Sequence, residues 1–538
     1  LIDHQMNLLC LSEFGEYFVR IPLKKAATII NRNALQVDWQ SLLNKENVLT
    51  ISADFTNIIK VEEPVEHYQK LNVYTKDYIE TSEDIINKQQ KPLISFDYII
   101  GNPPFIGSKL MKKNQRDDIL KQFENAQGSG VLDYVTGWYI KAAKYIQNTK
   151  IKVGFVSTNS IVQGEQTAIL WEQMLNKYNI KIHFAHRTFK WTNEAKGNAA
   201  VYCVIIGFAN YDIINKTIFD YTDIKGEAHK IKANNINPYL IDAKNLLITK
   251  RSAPICKVPK MNFGNMPLDG GHFLLTDKEK TDLLNKEPNA EKYIKPILSA
   301  KEFLNKINRW CLWLVDIEPS ELKQLPEVLK RVHLIKEFRI KSVRPTTSKM
   351  ATFPTLFGEN RQPNNQFLLI PRVSSENRKY IPISFFDKNF IVSDTCLFIE
   401  NANLFHFGIL TSTMHIAWVK SVCGRLKSDF RYSKDIVYNN YLWPENPTEK
   451  QIKVIEERSQ KLLDARAEFP NSSLADLYNP LTMPAILAKA HIELDKAVDL
   501  AYRSQPFTSE AKRMEFLFHL YEKYTSGLFT KTQTKIKK

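Results

Sequence analysis

Residues Phe96-Asp97-Tyr98-Ile99-Ile100-Gly101-Asn102-Pro103-Pro104-Phe105 form an apolar run that stops against two consecutive prolines. Such a run reads as a short buried strand, and Gly101 lets the chain turn at its end. Pro103 and Pro104 each hold φ near about −65° and carry no N–H, so their carbonyls are left as acceptors only. Asn102 adds a side-chain carbonyl acceptor, and Phe105 adds a flat apolar face. A rigid row of acceptors beside an aromatic plate suits a planar group that bears an NH₂. The chemistry that needs this arrangement is methylation of an exocyclic amine. The lone pair of such an amine is delocalised into the ring. Acceptors on its N–H bonds favour a pyramidal nitrogen and stabilise the positive charge that develops on attack at a methyl sulfonium. Stacking on Phe105 would orient the base for in-line transfer, once the base has left the duplex.

The pattern around this loop points to an α/β fold. Lys152-Val153-Gly154-Phe155-Val156-Ser157 and Lys181-Ile182-His183-Phe184-Ala185 read as strands, and Ala199 to Phe208 is a further apolar run rich in β-branched residues. Val131 to Ile146 and Glu165 to Tyr178 carry helical spacing between them. This alternation predicts a mostly parallel sheet with a ligand site at the strands' carboxyl ends, where the Asn-Pro-Pro-Phe loop falls. From about Gly226 the pattern loosens into short strand-like runs, some helix and turn-rich stretches, which predicts a mixed α+β region. After Pro444 and Pro447 come three helical patterns, marked by Ile452, Ile455, Leu462 and Leu463, by Ile486 to Leu500, and by Met514 to Tyr521. A polar, basic tail from Thr530 to Lys538 is expected to fray. The expected divisions are 1–225, 226–447 and 448–538.

With 538 residues, 43% hydrophobic and 25% charged, the chain has the composition of a soluble protein of several domains. No apolar run approaches the length of a membrane span, and no signal peptide is visible. The six cysteines are isolated, without a Cys-x-x-Cys pair, and read as buried thiols in a reducing cytoplasm, with no metal site. Charge is unevenly placed. Residues 1–225 carry 26 basic and 24 acidic side chains, whereas 226–538 carry 48 and 34, so nearly all of the net +16 lies in the second part. That asymmetry points to a polyanionic partner, the alternative being a solvated lysine-rich surface. In the second part Arg425, Lys427, Arg431, Tyr432 and Lys434 combine bidentate donors, point charges and an aromatic ring, and are the expected DNA contacts. Solvated charges, or ion pairs with Asp429 or Asp435, are the competing reading. Arg361, Gln362, Asn364 and Asn365 form a second candidate reading loop.

Longer blocks resemble the MmeI-like DNA methyltransferases, a family that includes single-chain restriction–modification enzymes. They are Gly130-Val131-Leu132-Asp133-Tyr134-Val135-Thr136-Gly137-Trp138-Tyr139, Phe155-Val156-Ser157-Thr158-Asn159-Ser160 with Gln163-Gly164-Glu165-Gln166, and Phe184-Ala185-His186-Arg187-Thr188-Phe189-Lys190-Trp191 with Asn198-Ala199-Ala200-Val201. Ile370-Pro371-Arg372-Val373-Ser374-Ser375-Glu376, Leu410-Thr411-Ser412-Thr413-Met414-His415 and Cys423-Gly424-Arg425-Leu426-Lys427-Ser428-Asp429-Phe430-Arg431-Tyr432-Ser433 are similar to its target-recognition domain. The resemblance implies a class I methyltransferase-type doubly wound sheet, then a mixed α+β target-recognition domain and a helical C-terminal segment. It implies S-adenosylmethionine-dependent methylation of adenine N6 in double-stranded DNA. Carried over, Asn102 and the Pro103 carbonyl would hold the target amine, next to Pro104, and Phe105 would stack on the base. Asn33, Ala34 and Leu35 look like the segment beside the cofactor adenine, although Asn33 also reads as an ordinary turn residue. Asp133 would shape the pocket around the sulfonium, or simply favour a helix N-terminus. Trp191 is expected in the core, with packing near the flipped base as the alternative.

Two departures stand against the family pattern. The first hundred residues contain one glycine, Gly15, so no Gly-rich strand-to-helix turn for the cofactor precedes Asn102. This leads to the expectation that the chain is the C-terminal part of a longer protein and that its sheet is incomplete on the N-terminal side. The stretch between Asn33 and Asp97 is long for the family, and 42–92 is expected to be an acidic surface insertion. Two other classes compete with a DNA methyltransferase: a DNA-binding specificity module without activity, and a methylase of protein glutamine or RNA, against which the basic second part argues.

Overall fold

The computed structural model describes residues 30–41, 96–191, 201–221 and 226–535, with side chains as far as Ser526. The expected insertion lies outside the described residues. The chain divides into two compact units, 1–97 and 98–538. In the first, Asn33 closes a turn: its Oδ1 accepts the Leu35 N–H at 3.0 Å, its carbonyl accepts the Gln36 N–H at 2.9 Å, and Leu35 is buried.

In the second unit a six-stranded sheet is built from β1 (Tyr98–Gly101), β2 (Lys152–Thr158), β3 (Lys181–Trp191), β4 (Val201–Ala209), β5 (Lys216–Asp220) and β6 (His229–Ala233), in the order β1-β2-β4-β3-β5-β6. β1 runs parallel to β2 and β3 parallel to β5, while β4 lies antiparallel between β2 and β3. The described part of the sheet is therefore mixed, not mostly parallel. β4, the next described strand after β3, is its antiparallel neighbour in the sheet. β1 is not the buried strand that its composition predicts: Tyr98 is 62% and Ile100 84% exposed. Among the described residues it pairs with β2 alone, along one edge. At its end Gly101 faces Phe155, whose ring would come within 3.1 Å of a Cβ placed there, so a larger residue would press on that ring.

Of three helices here, α1 (Lys113–Gln122) packs on α2 (Thr136–Tyr145), and α2 lies on the sheet beside α3 (Glu165–Glu172). Tyr139 of α2 fills the centre, stacked on Phe208 and edge-on to Phe155 and Trp171, with its hydroxyl 2.8 Å from Ser157 Oγ. The apolar spacing of the sequence thus marks one buried helical face.

The rest of the unit holds smaller sheets and long helices. One antiparallel sheet orders Ser384–Phe386, Phe367–Pro371, Cys396–Glu400 and Met261–Phe263. A three-stranded one orders β7 (Val373–Ser374), β9 (Asp429–Arg431) and β8 (Gly424–Leu426), where β8 and β9 form a hairpin. Separately, α4 (Pro326–Ile340) packs Val328, Val332 and Ile335 into a cluster with Phe273, Leu312 and Phe357. Helices α5 (Thr413–Val422), α6 (Glu449–Ala467), α7 (Ala485–Tyr502) and α8 (Glu510–Lys535) follow. One core takes in Leu368 and Trp418 together with Ile455, Leu494 and Phe518, so the C-terminal helices share their apolar interior with the preceding region.

That core buries two imidazoles. His415 Nδ1 lies 2.8 Å from the Leu410 carbonyl and Nε2 2.9 Å from the Tyr432 hydroxyl, and burial holds its pKa down to about 4. His491 is pushed well below the usual range by burial, with Arg466 and Lys379 adding to it. Both rings are neutral when folded and protonate below about pH 6.5 when unfolded. Their contribution to stability is full above that pH and is lost as pH falls through the folded value of each ring, about 4 for His415. Unfolding at pH 5.5 is expected to take up close to two protons at these rings. Calorimetry in buffers of different ionisation enthalpy measures this, and a net uptake below one proton contradicts the assignment.

Candidate active site and nucleic-acid interface

The Asn102–Phe105 loop leaves β1 at its carboxyl end, with Pro103 buried, Asn102 and Pro104 exposed and Phe105 half-buried. Phe105 opens into a cleft of about 1090 Å³. Its walls come from the residues after the loop, from Thr158–Ser160 and Gln163–Gln166 beyond β2, from Lys190 and Tyr202, and from the β8–β9 hairpin. Six cations face it: Lys109, Arg116, Lys190, Arg425, Lys427 and Arg431. The acidic side chains on the wall are Asp133 and Glu165, and both are engaged, Glu165 with Lys250 at 2.6 Å. Net positive charge in a concave, partly desolvated wall favours an anionic occupant.

Asp133 acts as a clamp. One carboxylate oxygen accepts the Ser108 N–H at 2.8 Å and the other accepts the Ser160 hydroxyl at 2.6 Å. Its own N–H donates to Gln166 Oε1 at 2.8 Å. It lies just before α2, as a helix N-terminal acid would, but its charge is spent on two loops. The loop after Phe105 is further fixed by the Tyr134 N–H donating to the Ile106 carbonyl at 2.9 Å.

The five expected DNA contacts separate. Lys427 and Arg431 are exposed on the cleft wall, and Lys427 holds φ at 57° in the two-residue turn of the hairpin. Arg425 is largely buried, with its guanidinium on Gln163, Ser428 and the Phe430 ring. Tyr432 is a correction: it is 2% exposed, bonded to His415, and belongs to the core. Its aromatic ring lies beside His415 in that core, not with the arginines around it in sequence. Lys434 is paired with Asp435 at 2.7 Å, the intramolecular alternative. In the second candidate loop Gln362 accepts from Asn265 and Val392 and donates to the Lys388 and Phe390 carbonyls, a structural role. Trp191, expected in the core, is 39% exposed at the end of β3. Among the described residues no cluster of three or more His, Cys, Asp or Glu is placed to hold a metal ion, and no helix is long and apolar enough to cross a membrane.

Three family models match in order along the chain: the MmeI DNA-methyltransferase domain over residues 1–220, the MmeI target recognition domain over 242–445 and the MmeI C-terminal domain over 447–529. The chain belongs to the MmeI family. DNA methyltransferase A of Bacillus subtilis (strain 168) is 42% identical over 429 residues, which cover 80% of this chain and 48% of that protein. The solved structure of the type IIL restriction–modification enzyme MmeI in complex with DNA is 44% identical, with a TM-score of 0.78, covering 97% of this chain and 63% of that one. The chain thus spans about half the length of the curated relative. In this MmeI-family chain the cleft lies where the part matched as methyltransferase meets the part matched as target recognition: Phe105, Asp133 and Tyr202 belong to the first, Arg425, Lys427 and Arg431 to the second.

Sequence reasoning missed Tyr202, Glu376 and Gln163 as wall-building residues. The Tyr202 hydroxyl donates to Glu376, 174 positions away, and Gln163 accepts from Arg425, 262 positions away. Gln163 and Glu376 fall inside the family-like blocks and Tyr202 directly follows one, which was the only signal they gave.

Proposed function

We propose that this chain is the methyl-transferring and DNA-reading part of a restriction–modification enzyme, acting on adenine N6 of a base flipped out of double-stranded DNA, with S-adenosylmethionine as donor. The observation that carries the proposal is the acceptor-rich Asn102–Phe105 loop opening, through Phe105, into a cleft faced by six cations. When bound, S-adenosylmethionine supplies an electrophilic methyl group. Asn102 Oδ1 and the Pro103 carbonyl accept the two N–H bonds of the amine and carry part of the charge that forms on nitrogen. Pro104 keeps that turn rigid, and Phe105 stacks on the base and repays part of the unstacking cost.

The described residues fit the acceptor side and do not compose a cradle for the donor. Asp133, expected near the sulfonium, has both oxygens committed to Ser108 and Ser160. Asn33 has its side-chain carbonyl on Leu35, leaving Ala34 and Leu35 as backbone and apolar contacts for the cofactor adenine in this proposal. The same observation favours a second reading, a DNA-specificity module that relies on another chain segment for the donor. The unpaired Cys203, Cys256, Cys311, Cys396 and Cys423 suit a reducing cytoplasm.

The test is transfer of labelled methyl from S-adenosylmethionine to duplex DNA of mixed sequence, followed by mapping of the modified base. Label on adenine N6 supports the proposal. Tight DNA binding without transfer supports the second reading instead. The duplex affinity is expected to fall steeply with salt. Lys427→Ala and Arg431→Ala are each expected to reduce the slope of log K against log salt by about 0.9. An unchanged slope in both variants removes the hairpin from the DNA interface.

A further inference from the structure

Behind the cleft, polar contacts join segments that lie far apart in sequence. Arg425 donates from Nε to Gln163 Oε1 at 3.2 Å and from Nη1 to the Ser428 carbonyl at 2.9 Å. Its guanidinium lies 4.0 Å from the centre of the Phe430 ring, and Nη1 is 3.8 Å from Glu376 Oε2. The other Glu376 oxygen accepts the Tyr202 hydroxyl, so the β4 strand of the catalytic sheet reaches the hairpin through one carboxylate. Burial, with Glu376 adding to it, pushes the Tyr202 hydroxyl up to about 12, and it stays a donor.

The backbones also meet at this place. The Gly164 N–H donates to the Val422 carbonyl at 3.0 Å, and Gly164 holds φ at 70°, which favours glycine. A Cβ at Gly164 would sit 3.0 Å from Gly424 Cα, so neither segment can withdraw or thicken without the other shifting. From there the contacts run on toward the loop. Gln166 holds the Asp133 N–H, and Asp133 holds Ser160 and Ser108, three residues beyond Phe105.

We propose that Tyr202, Glu376 and Arg425 form a latch that couples the position of the recognition hairpin to that of the catalytic loop, with Arg425 a positioning residue and not a reader of bases. A guanine reader presents two parallel N–H bonds to the groove, whereas here Nε is held by Gln163 and Nη1 by Ser428, so each two-nitrogen edge of the guanidinium already has one nitrogen engaged. Asn159, Gln163, Tyr202 and Arg425 border both the cleft and a second cavity of about 690 Å³. The latch therefore has open space on two sides, unlike a close-packed core, and its members can shift together. DNA held by Lys427 and Arg431 pulls on the hairpin, and the latch passes the displacement through Gln163–Gln166 and Asp133 to the loop. The inference rests on the reading of the cleft as the site of methyl transfer to DNA.

The test uses the full chain with duplex DNA and the variants Tyr202→Phe, Glu376→Gln and the double variant. Duplex affinity is expected to stay within about twofold, while the single-turnover methyl-transfer rate at saturating DNA falls roughly tenfold. The double variant is expected to be no slower than the slower single, because both remove one interaction. Hydrogen exchange adds a readout that needs no activity: DNA slows exchange at Ser108 and Ser160 in the wild type and not in the variants. Arg425→Lys is expected to behave like them, with an unchanged salt slope. A rate and an exchange pattern like the wild type overturn the latch, as does weaker binding with an unchanged rate at saturation, or loss of one unit of salt slope in Arg425→Gln. If the wild type binds DNA and transfers no methyl group, the proposed function fails, and the exchange comparison still decides the latch.

Discussion

Asn102→Ala is expected to slow methyl transfer by two to three orders of magnitude and to leave duplex affinity nearly intact. The side chain is exposed at the end of β1, and the described contacts of the loop run through Pro104, Ile106 and Ser108. Its removal therefore leaves the loop in place. What is lost is one acceptor aimed at charge that exists only during transfer, and losing one such group typically costs a factor of about 10² to 10³ in rate. Asn102→Asp separates geometry from charge: the acceptor remains, and the backbone keeps its turn. Single-turnover assays at saturating DNA and donor, paired with equilibrium binding by fluorescence anisotropy, give the two quantities independently. Transfer within about tenfold of the wild type in Asn102→Ala would sink the assignment of the loop.

What the sequence made legible was local. The loop announces itself because two prolines and a glycine leave few backbone conformations, and α2, α3 and the three long C-terminal helices follow from helical spacing of apolar residues. β3 was expected to end at Ala185 but runs to Trp191, since register shifts between Ile182 and Phe184 and between His186 and Phe189 break the period-two alternation that marks a strand. Tyr432 was misplaced as well. An aromatic next to an arginine suggests a nucleic-acid surface, but Arg431 ends β9 exposed on the cleft while Tyr432, just past the strand, turns into the core against His415. Asp133 lies three residues before α2, outside its first turn, and its role is set by Ser108, Ser160 and Gln166, the partner at Gln166 being 33 positions away. The pairing of Tyr202 with Glu376 is more distant still. One sequence carries no signal for such a pair, because either residue would be unremarkable alone.

Arg339→Met is expected to destabilise the region around α4 by about 3–5 kcal/mol. Arg339 is fully buried, and among the described residues no carboxylate lies within ion-pair distance of its guanidinium, Asp269 acting on it only from further off. Its five N–H bonds go instead to five backbone carbonyls: Nε to Leu268, Nη1 to Met350 and Phe353, and Nη2 to Pro267 and Leu356, at 2.7–3.0 Å. The planar fork thus ties two segments of irregular backbone, 267–268 and 350–356, to one helix. Methionine matches the length of the stem but leaves the carbonyls buried without donors, and each unsatisfied group costs about 1–3 kcal/mol before relaxation. The estimate lies below the sum of five such losses because the segments can open to water. Arg339→Lys keeps the charge and three donors on a flexible stem, so its loss is expected to be intermediate. The order wild type, Lys, Met should appear in denaturant midpoints, and proteolysis should cut first within 350–358 in the Met variant. A Met variant within about 1 kcal/mol of the wild type would mean that the apolar cluster of Val328, Val332, Ile335, Phe273 and Phe357 holds α4 in place without the guanidinium.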